Sequence, residues 1–505
     1  SLKQVVLEAG SAGGLEIRAD GRVDNIDIAT SPFNPDQITG VDIIARIHSE
    51  DSGKVGELLK LTLPEYHSLK GYLEVRGDGD HLTGSNGRLT ASSSDLELVF
   101  SDIQMHAVRG EEFELRDFQA RVSGELSDTS ALSQYMERTA ISLGPMSVKT
   151  ELRQTNNGVS AENLSVSITG ESLQVSSTGR IDNLITLEGI ELDQRFNGLR
   201  TQNVLAALID DFVYPEDLGN LVGSFQLRGS LEEIQVRELT LTNMGSKRLS
   251  LGIKGSIGDL DELDANLAFQ ARVTDPDLLL ALTDLQLAAT DAAGTLQTQG
   301  NAVRLKGDAR IGNTRLNTDT EFSTGDGKLQ SLDLVVNSPH LYLVDLGLQA
   351  QGVGDRQYRP AEQIEDAAES SIDRMLSRAP RFPSRLRISI DELTGENTSI
   401  DSLQLEITGR DGAYTVRQLD ARYATGVAQF RGIVDLGQKP VAISMAGQGI
   451  SIPLNRLSAD VGMDTDIEGL VSFRGGITGR GTEREELLQT LDGSLAFALE
   501  DAVIE

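Results

Sequence analysis

Residues able to carry chemistry are few and poorly spaced. The five histidines, His48, His67, His81, His106 and His340, are scattered without a His-x-x-x-His pair, the spacing that would turn two imidazoles toward one metal from a helix face. Cysteine is absent, which removes thiolate zinc sites, disulfides and a sulfur nucleophile. Asp78-Gly79-Asp80 and Gly325-Asp326-Gly327 look faintly like calcium loops, but no Asp-x-Asp-x-Asp-Gly series surrounds either, so both read as turns. There is no Gly-x-x-x-x-Gly-Lys-Ser/Thr phosphate loop and no Gly-x-Ser-x-Gly nucleophile elbow. With 77 carboxylates in the chain some approach in pairs by chance, so acid content alone argues for no glycosidase. The expectation is a protein that is not an enzyme and holds no metal and no cofactor.

Composition narrows the class further. The 505 residues carry 45 basic against 77 acidic side chains, a net charge of −32, which argues against nucleic acid, since phosphate-tracking proteins need positive charge to release counterions. Trp is absent, aromatics are 4% and Gly reaches 51, the balance of a turn-rich β protein. No run approaches the roughly 18 to 20 apolar residues of a membrane helix; the richest is Leu278 to Leu282. The chain begins and stops in what read as strands, Lys3 to Leu7 and Asp501 to Glu505, as a piece of a longer protein would, with any signal peptide or anchor outside it.

The elements that must position any site are strands. Apolar and polar residues alternate over six to ten positions, as in Leu164–Ile168, Leu332–Val336 and Leu403–Ile407, and then break at Gly, Asp-Gly or Asn, the period of half-buried strands joined by tight turns. Asp411-Gly412 and Gly325-Asp326-Gly327 supply residues that accept the positive φ of hairpin turns. One longer unit recurs with Gly spaced by six: Gly71 to Gly77, Gly223 to Gly229, Gly294 to Gly300 and Gly469 to Gly475. Its second and fourth positions after the first Gly are Leu73 and Val75, Phe225 and Leu227, Leu296 and Thr298, and Val471 and Phe473, which share one face, whereas Arg76, Arg228 and Arg474 share the other and read as solvated.

Each unit follows a short segment with helical spacing: Val55 to Leu61, Val204 to Phe212, Leu278 to Leu285 and Leu454 to Val461. The intervals are too irregular for a short-repeat solenoid. A separate amphipathic helix is expected from Pro360 to Leu376, with Ile364, Ala368, Ile372, Met375 and Leu376 on one face and Pro380 and Pro383 behind it. It reads as a packed connector, or as a lid or partner-binding element. The expected organisation is a repeated β region with short helices over 1–354, an amphipathic helical connector over 355–382, and a further β region over 383–505.

In the run Ile467 to Asp501 a strand and a glycine-bounded turn lead to a short helix ending at Leu491-Asp492-Gly493, then to a strand and the Asp501-Ala502-Val503-Ile504 ending. This run resembles the C-terminal signature of the AsmA-like family. Upstream the resemblance extends over Ile388 to Leu436 through Asp411-Gly412, Leu419-Asp420-Ala421, Gly426 and Gly432; Asp492 stands where the family commonly has Asn. The resemblance implies a Gram-negative envelope protein: a periplasmic β structure curled into an apolar groove, anchored in the inner membrane by an N-terminal helix not in this chain. It also implies phospholipid as the partner, bridge-like transfer between inner and outer membrane, and a possible outer-membrane or periplasmic protein partner.

The residues agree with that implication. Roughly 60% of the chain in strands of about 8 residues gives on the order of 35 strands, and one continuous ladder of them on the order of 150 Å. The fold class expected is therefore mostly β, an elongated, curled antiparallel sheet whose apolar face forms a groove, with short interspersed helices. Such a face offers acyl chains about 0.8 kcal/mol per buried methylene. The groove candidates are Leu73, Val75, Phe225, Leu227, Leu296, Val471 and Phe473. The competing classes are an extracellular structural or adhesive β protein of passenger or surface-layer type and a carbohydrate-active β-helix enzyme. The same alternation also fits the core of stacked sandwiches, against which stands the scarcity of aromatics.

Overall fold

Alternating side chains fold here into antiparallel hairpins. A computed structural model describes residues 2–10, 15–25, 38–50, 66–109, 113–134, 141–171, 173–209, 212–258, 264–283, 285–325, 328–347, 381–395, 399–437, 440–460, 467–482 and 484–504. Among these are 29 strands, of up to 15 residues. The expected helices Val55–Leu61 and Pro360–Leu376, and the last two residues of the Gly325–Gly327 turn, lie outside the described residues.

The chain divides into two compact units, one made of Ser1–Val204, Asn220–Met244 and Ser256–Asp261, the other of Leu205–Gly219, Gly245–Gly255 and Glu262–Glu505. In the first, thirteen strands from Leu2–Gly10 to Ile234–Met244 pair antiparallel, each with its neighbour in sequence. The result is an open meander. Residues in the left-handed region recur on three consecutive strands, at Asn86, Asp102 and Asp117, and register shifts accompany them. Bulges of this kind add local right-handed twist and curl a sheet.

The second unit runs antiparallel from Ala265–Val273 to Lys328–Ser338. Lys328–Ser338 then pairs parallel with Ser384–Ile390, and the antiparallel ladder resumes to Asp492–Ile504. A small sheet of Leu341–Tyr342, Leu393–Thr394 and Ser399–Ile400 lies beside it. The Asp411-Gly412 turn forms as its residue types require, with φ of 52° and 85° between paired Arg410 and Ala413. Buried Asp345 fastens another turn, accepting hydrogen bonds from the backbone N–H groups of Asn313 (2.8 Å) and Thr314 (2.9 Å) and from the Thr314 hydroxyl (3.1 Å).

Three of the four expected helices preceding the glycine-bounded strands are present, at Thr201–Leu208, Pro276–Thr283 and Leu454–Asp460. The first begins three residues before the sequence reading, because Thr201 is buried and its hydroxyl is held by the Asn243 amide at 2.7 Å, so the chain turns helical directly after strand Glu188–Arg200. Pro276 occupies the first helical turn of the second, and Asp275 caps it through the N–H of Asp277 at 3.0 Å.

Fully enclosed cores are small and local. In the second unit Leu218, Leu249, Val273, Leu278 and Leu279 pack with Leu205, Phe212 and Tyr214. In the first unit one cluster gathers Tyr66 and Leu69 with Leu15, Ile47, Leu89 and Ala91, and another gathers Ala161, Ile181 and Ile190 with Leu192 and Leu227.

Candidate functional site

Strand register, more than sequence spacing, builds the candidate site. In the second unit one cross-strand row reads Leu267, Leu296, Leu305, Thr320, Leu334, Leu386, Ile407, Val416, Gly432, Met445 and Ile477. At about 4.8 Å per strand it makes an apolar stripe roughly 50 Å long measured across the strands. A second row beside it reads Phe269, Gly294, Gly307, Thr318, Val336, Ile388, Leu405, Leu419, Phe430, Gly447, Gly475 and Leu495. In the first unit the row Ile17, Ile47, Gly71, Leu89, Phe100 and Val122 crosses six strands, and Gly179, Leu192, Leu227 and Val236 form another.

These rows are half-buried for most of their length rather than closed off. A two-sheet sandwich would shut such side chains from water against a facing layer. Here alternation is clear along single strands, as in Ala302–Ile311, where Val303, Leu305 and Ala309 are partly covered and Arg304, Lys306 and Asp308 are exposed. On the last strand, Asp492–Ile504, Leu495, Phe497 and Leu499 stand on one face with exposures of 69%, 68% and 49%.

Glycine shapes this face by leaving room for the ring or branch on the next strand. Phe196 lies over Gly223, where an added Cβ would fall 2.6 Å from its Cζ, and Phe269 lies over Gly294 at 2.9 Å. Phe430 lies over Gly447, and Phe473 over Gly449. Leu73 spreads its methyls across the bulge formed by Gly84 and Gly87, at 2.9 and 2.6 Å from the positions a Cβ would take. The rings associate in tilted pairs, Phe196 with Phe225 at 6.5 Å and Phe430 with Phe473 at 6.3 Å between centroids.

All seven residues singled out from sequence occupy these apolar faces half-buried: Leu73 and Val75 on Ser68–Gly77, Phe225 and Leu227 on Asn220–Gly229, Leu296 on Thr290–Gln299, and Val471 and Phe473 on Ile467–Gly481. Leu73, Val75, Phe225 and Leu227 belong to the first unit and Leu296, Val471 and Phe473 to the second. Sequence reasoning missed Phe196, Phe269 and Phe430, whose partners are glycines on adjacent strands. The signal that could have found them is an alternating strand with one Phe next to a strand with a Gly at the matching register.

The opposite face is ionic. Arg76 pairs with Asp42 at 3.1 Å and Arg228 with Glu191 at 2.8 Å, while Arg304 and Lys306 share Asp319 and Arg385 meets Glu406. Exposed pairs of this kind add little to stability; their main effect is to keep this face wet. Two groups with displaced ionisation fasten loops. Asp128 is held down to about 2, first by the Ser130 hydroxyl and N–H and then by the Ser142 hydroxyl. Desolvation and a 2.8 Å hydrogen bond to Asp275 push Tyr214 up to about 12. Among the described residues no cluster of His, Asp and Glu could hold a metal, and no helix is long and apolar enough to cross a membrane.

With this geometry in hand, comparison with known proteins gives one positive result. A family model described as the AsmA family matches residues 145–505. No curated protein and no solved structure matches the chain.

Proposed function

The chain belongs to the AsmA family, and from that premise we propose that its apolar face carries phospholipid acyl chains as a segment of a lipid-transfer protein working between inner and outer membrane. The family assignment supports an envelope and lipid-related role. The observation that carries the finer reading is the half-exposed apolar stripe of the second unit, eleven strands wide from Leu267 to Ile477. A face of that length left open to water, lined by Leu, Ile, Val and Phe and kept passable by glycine, suits a flexible hydrocarbon better than a rigid polar ligand. Each methylene moved onto it gains about 0.8 kcal/mol. The role is non-catalytic, needs no cofactor, and extends to a periplasmic location with inner-membrane anchoring and support of outer-membrane biogenesis.

The test is lipid retention. The chain is purified from a Gram-negative host, freed of detergent, and its bound lipids are measured by native and extracted-lipid mass spectrometry. Several phospholipids per chain are expected. A lipid-free protein with intact β structure would overturn the proposal and favour a structural or adhesive role.

A further inference from the structure

On the polar side of the first unit, strands Leu15–Asn25, Thr39–Ser49, Ser68–Gly77 and His81–Ser92 bring cations into two adjacent rows. Arg18, Arg46, Tyr72 and Arg88 stand opposite one another in the first, and Glu16, His48, Lys70 and Thr90 in the second. Together they line a concavity of about 490 Å³. In a chain of net charge −32, Arg18, Arg46, Lys70 and Arg88 lining one concavity with the single carboxylate of Glu16 is a local reversal of sign.

The charges are only partly answered. Asp20, one row away, takes Arg18 at 3.1 Å and Arg46 at 2.5 Å. Among the described residues Lys70 and Arg88 have no carboxylate within ion-pair distance, although most outward arginines nearby have one, as Arg76 has Asp42. Among the described residues the Nδ1 of His48 is closed to solvent and has no hydrogen-bond partner. Two cations without a carboxylate, set beside two that share Asp20, leave positive charge around the concavity for an anion to answer.

We propose that this cavity binds a phosphate-type oxyanion, carried by a lipid headgroup or free in solution. Guanidinium forks and an ammonium around one cavity match an anion with three or four oxygens better than a carboxylate with two, and the Tyr72 hydroxyl adds a donor. The site is on the opposite face from the apolar rows and stands independently of the acyl-chain reading.

Calorimetric titration of the purified chain at low salt, with inorganic phosphate and separately with glycerol 3-phosphate, tests the proposal. Saturable binding is expected, weakened roughly tenfold or more in Lys70→Gln/Arg88→Gln through loss of two charge-assisted hydrogen bonds and unchanged in Arg304→Gln. If the double variant fails to fold, Lys70→Gln and Arg88→Gln singly are each expected to weaken binding. Tighter binding of glycerol 3-phosphate assigns a headgroup as the source; equal or weaker binding assigns free phosphate. No heat with either probe, or wild-type affinity in the variants, overturns the site. Flotation with phosphatidylglycerol vesicles without binding of either soluble probe also overturns it, in favour of diffuse attraction to a membrane surface. Retained phospholipid, measured on the same variants, is expected to stay at the wild-type level, which separates failure here from failure of the acyl-chain reading.

Discussion

Phe473 and Gly449 are paired across adjacent strands, and the phenyl ring occupies the space a side chain on the glycine would need, with Cδ1 only 2.8 Å from where a Cβ would stand. Ring and glycine therefore form one packing unit spread over two strands. Gly449→Ala is expected to push the ring off its seat and to destabilise the chain by about 1–3 kcal/mol, the usual range for overpacking. Urea unfolding midpoints at unchanged slope would check it, and wild-type stability would show that the ring has another place to go.

Replacing the proposed lining residues separates lining from core. Phe225 and Phe473 are half-buried, so a carboxylate there can be hydrated in the open face but is hostile to hydrocarbon. Phe225→Asp and Phe473→Asp are each expected to keep the far-ultraviolet circular dichroism of the parent and to lower retained phospholipid roughly tenfold or more. Unfolding of either variant would make that residue core and remove it from the lining.

Acid stability has a traceable contributor in Asp128. Its carboxylate is held at about 2 against an ordinary value of 3.8, first by the Ser130 hydroxyl and then by the N–H of Ser130 at 2.8 Å, the Ser142 hydroxyl at 2.8 Å and the N–H of Gly144 at 3.1 Å, all donating to it. Because the folded value is depressed, its stabilisation is present above about pH 4 and is lost as pH falls toward 2. Asp128→Asn should flatten the pH dependence of unfolding free energy across that window; an unchanged slope would assign the acid sensitivity elsewhere.

At the alkaline end the sign reverses. The Tyr214 phenol is raised to about 12 from 10.0 by desolvation and by its bond to Asp275, which also holds Arg248 at 2.7 Å. The folded state disfavours tyrosinate, so stability is full below about pH 10 and declines as pH rises toward 12. Tyr214→Phe is expected to abolish the highest tyrosinate step in an absorbance titration and, by losing one hydrogen bond, to cost about 0.5–1.5 kcal/mol at neutral pH. Persistence of that step in the variant would assign it to another tyrosine.

Strand identity and the turn at Asp411-Gly412 were legible because both follow from local chemistry: a two-residue side-chain period and residues that accept positive φ. Leu73, Phe225 and Phe473 were found through a glycine spacing along single strands. Phe196, Phe269 and Phe430 were not, because their roles depend on which strand lies alongside and in which register. The bulges were hidden for a related reason. Asn86, Asp102 and Asp117 look like ordinary outward polar residues in sequence, yet each takes a left-handed backbone that re-aims the strand. The cation cluster escaped notice because Arg18, Arg46, Lys70 and Arg88 come from four strands and converge only once those strands are laid side by side.

Pairing between successive strands also fixes the order in which the molecule can assemble. Within each unit most ladders join strands adjacent in sequence, many of them, such as Gly158–Thr169 with Met146–Thr155 and Thr314–Gly325 with Ala302–Ile311, through a connection of only two residues, so loop-closure entropy is small at those steps. A strand can dock as soon as it has been made, and growth can proceed by templated addition to the last edge, much as repeats stack in a linear array. The parallel pair of Lys328–Ser338 and Ser384–Ile390 interrupts this. There the growing edge must wait until residues 339–383 have been synthesised, exposing Leu332, Leu334 and Val336 meanwhile, and a synthesis-coupled pause or chaperone contact would be felt most at that point.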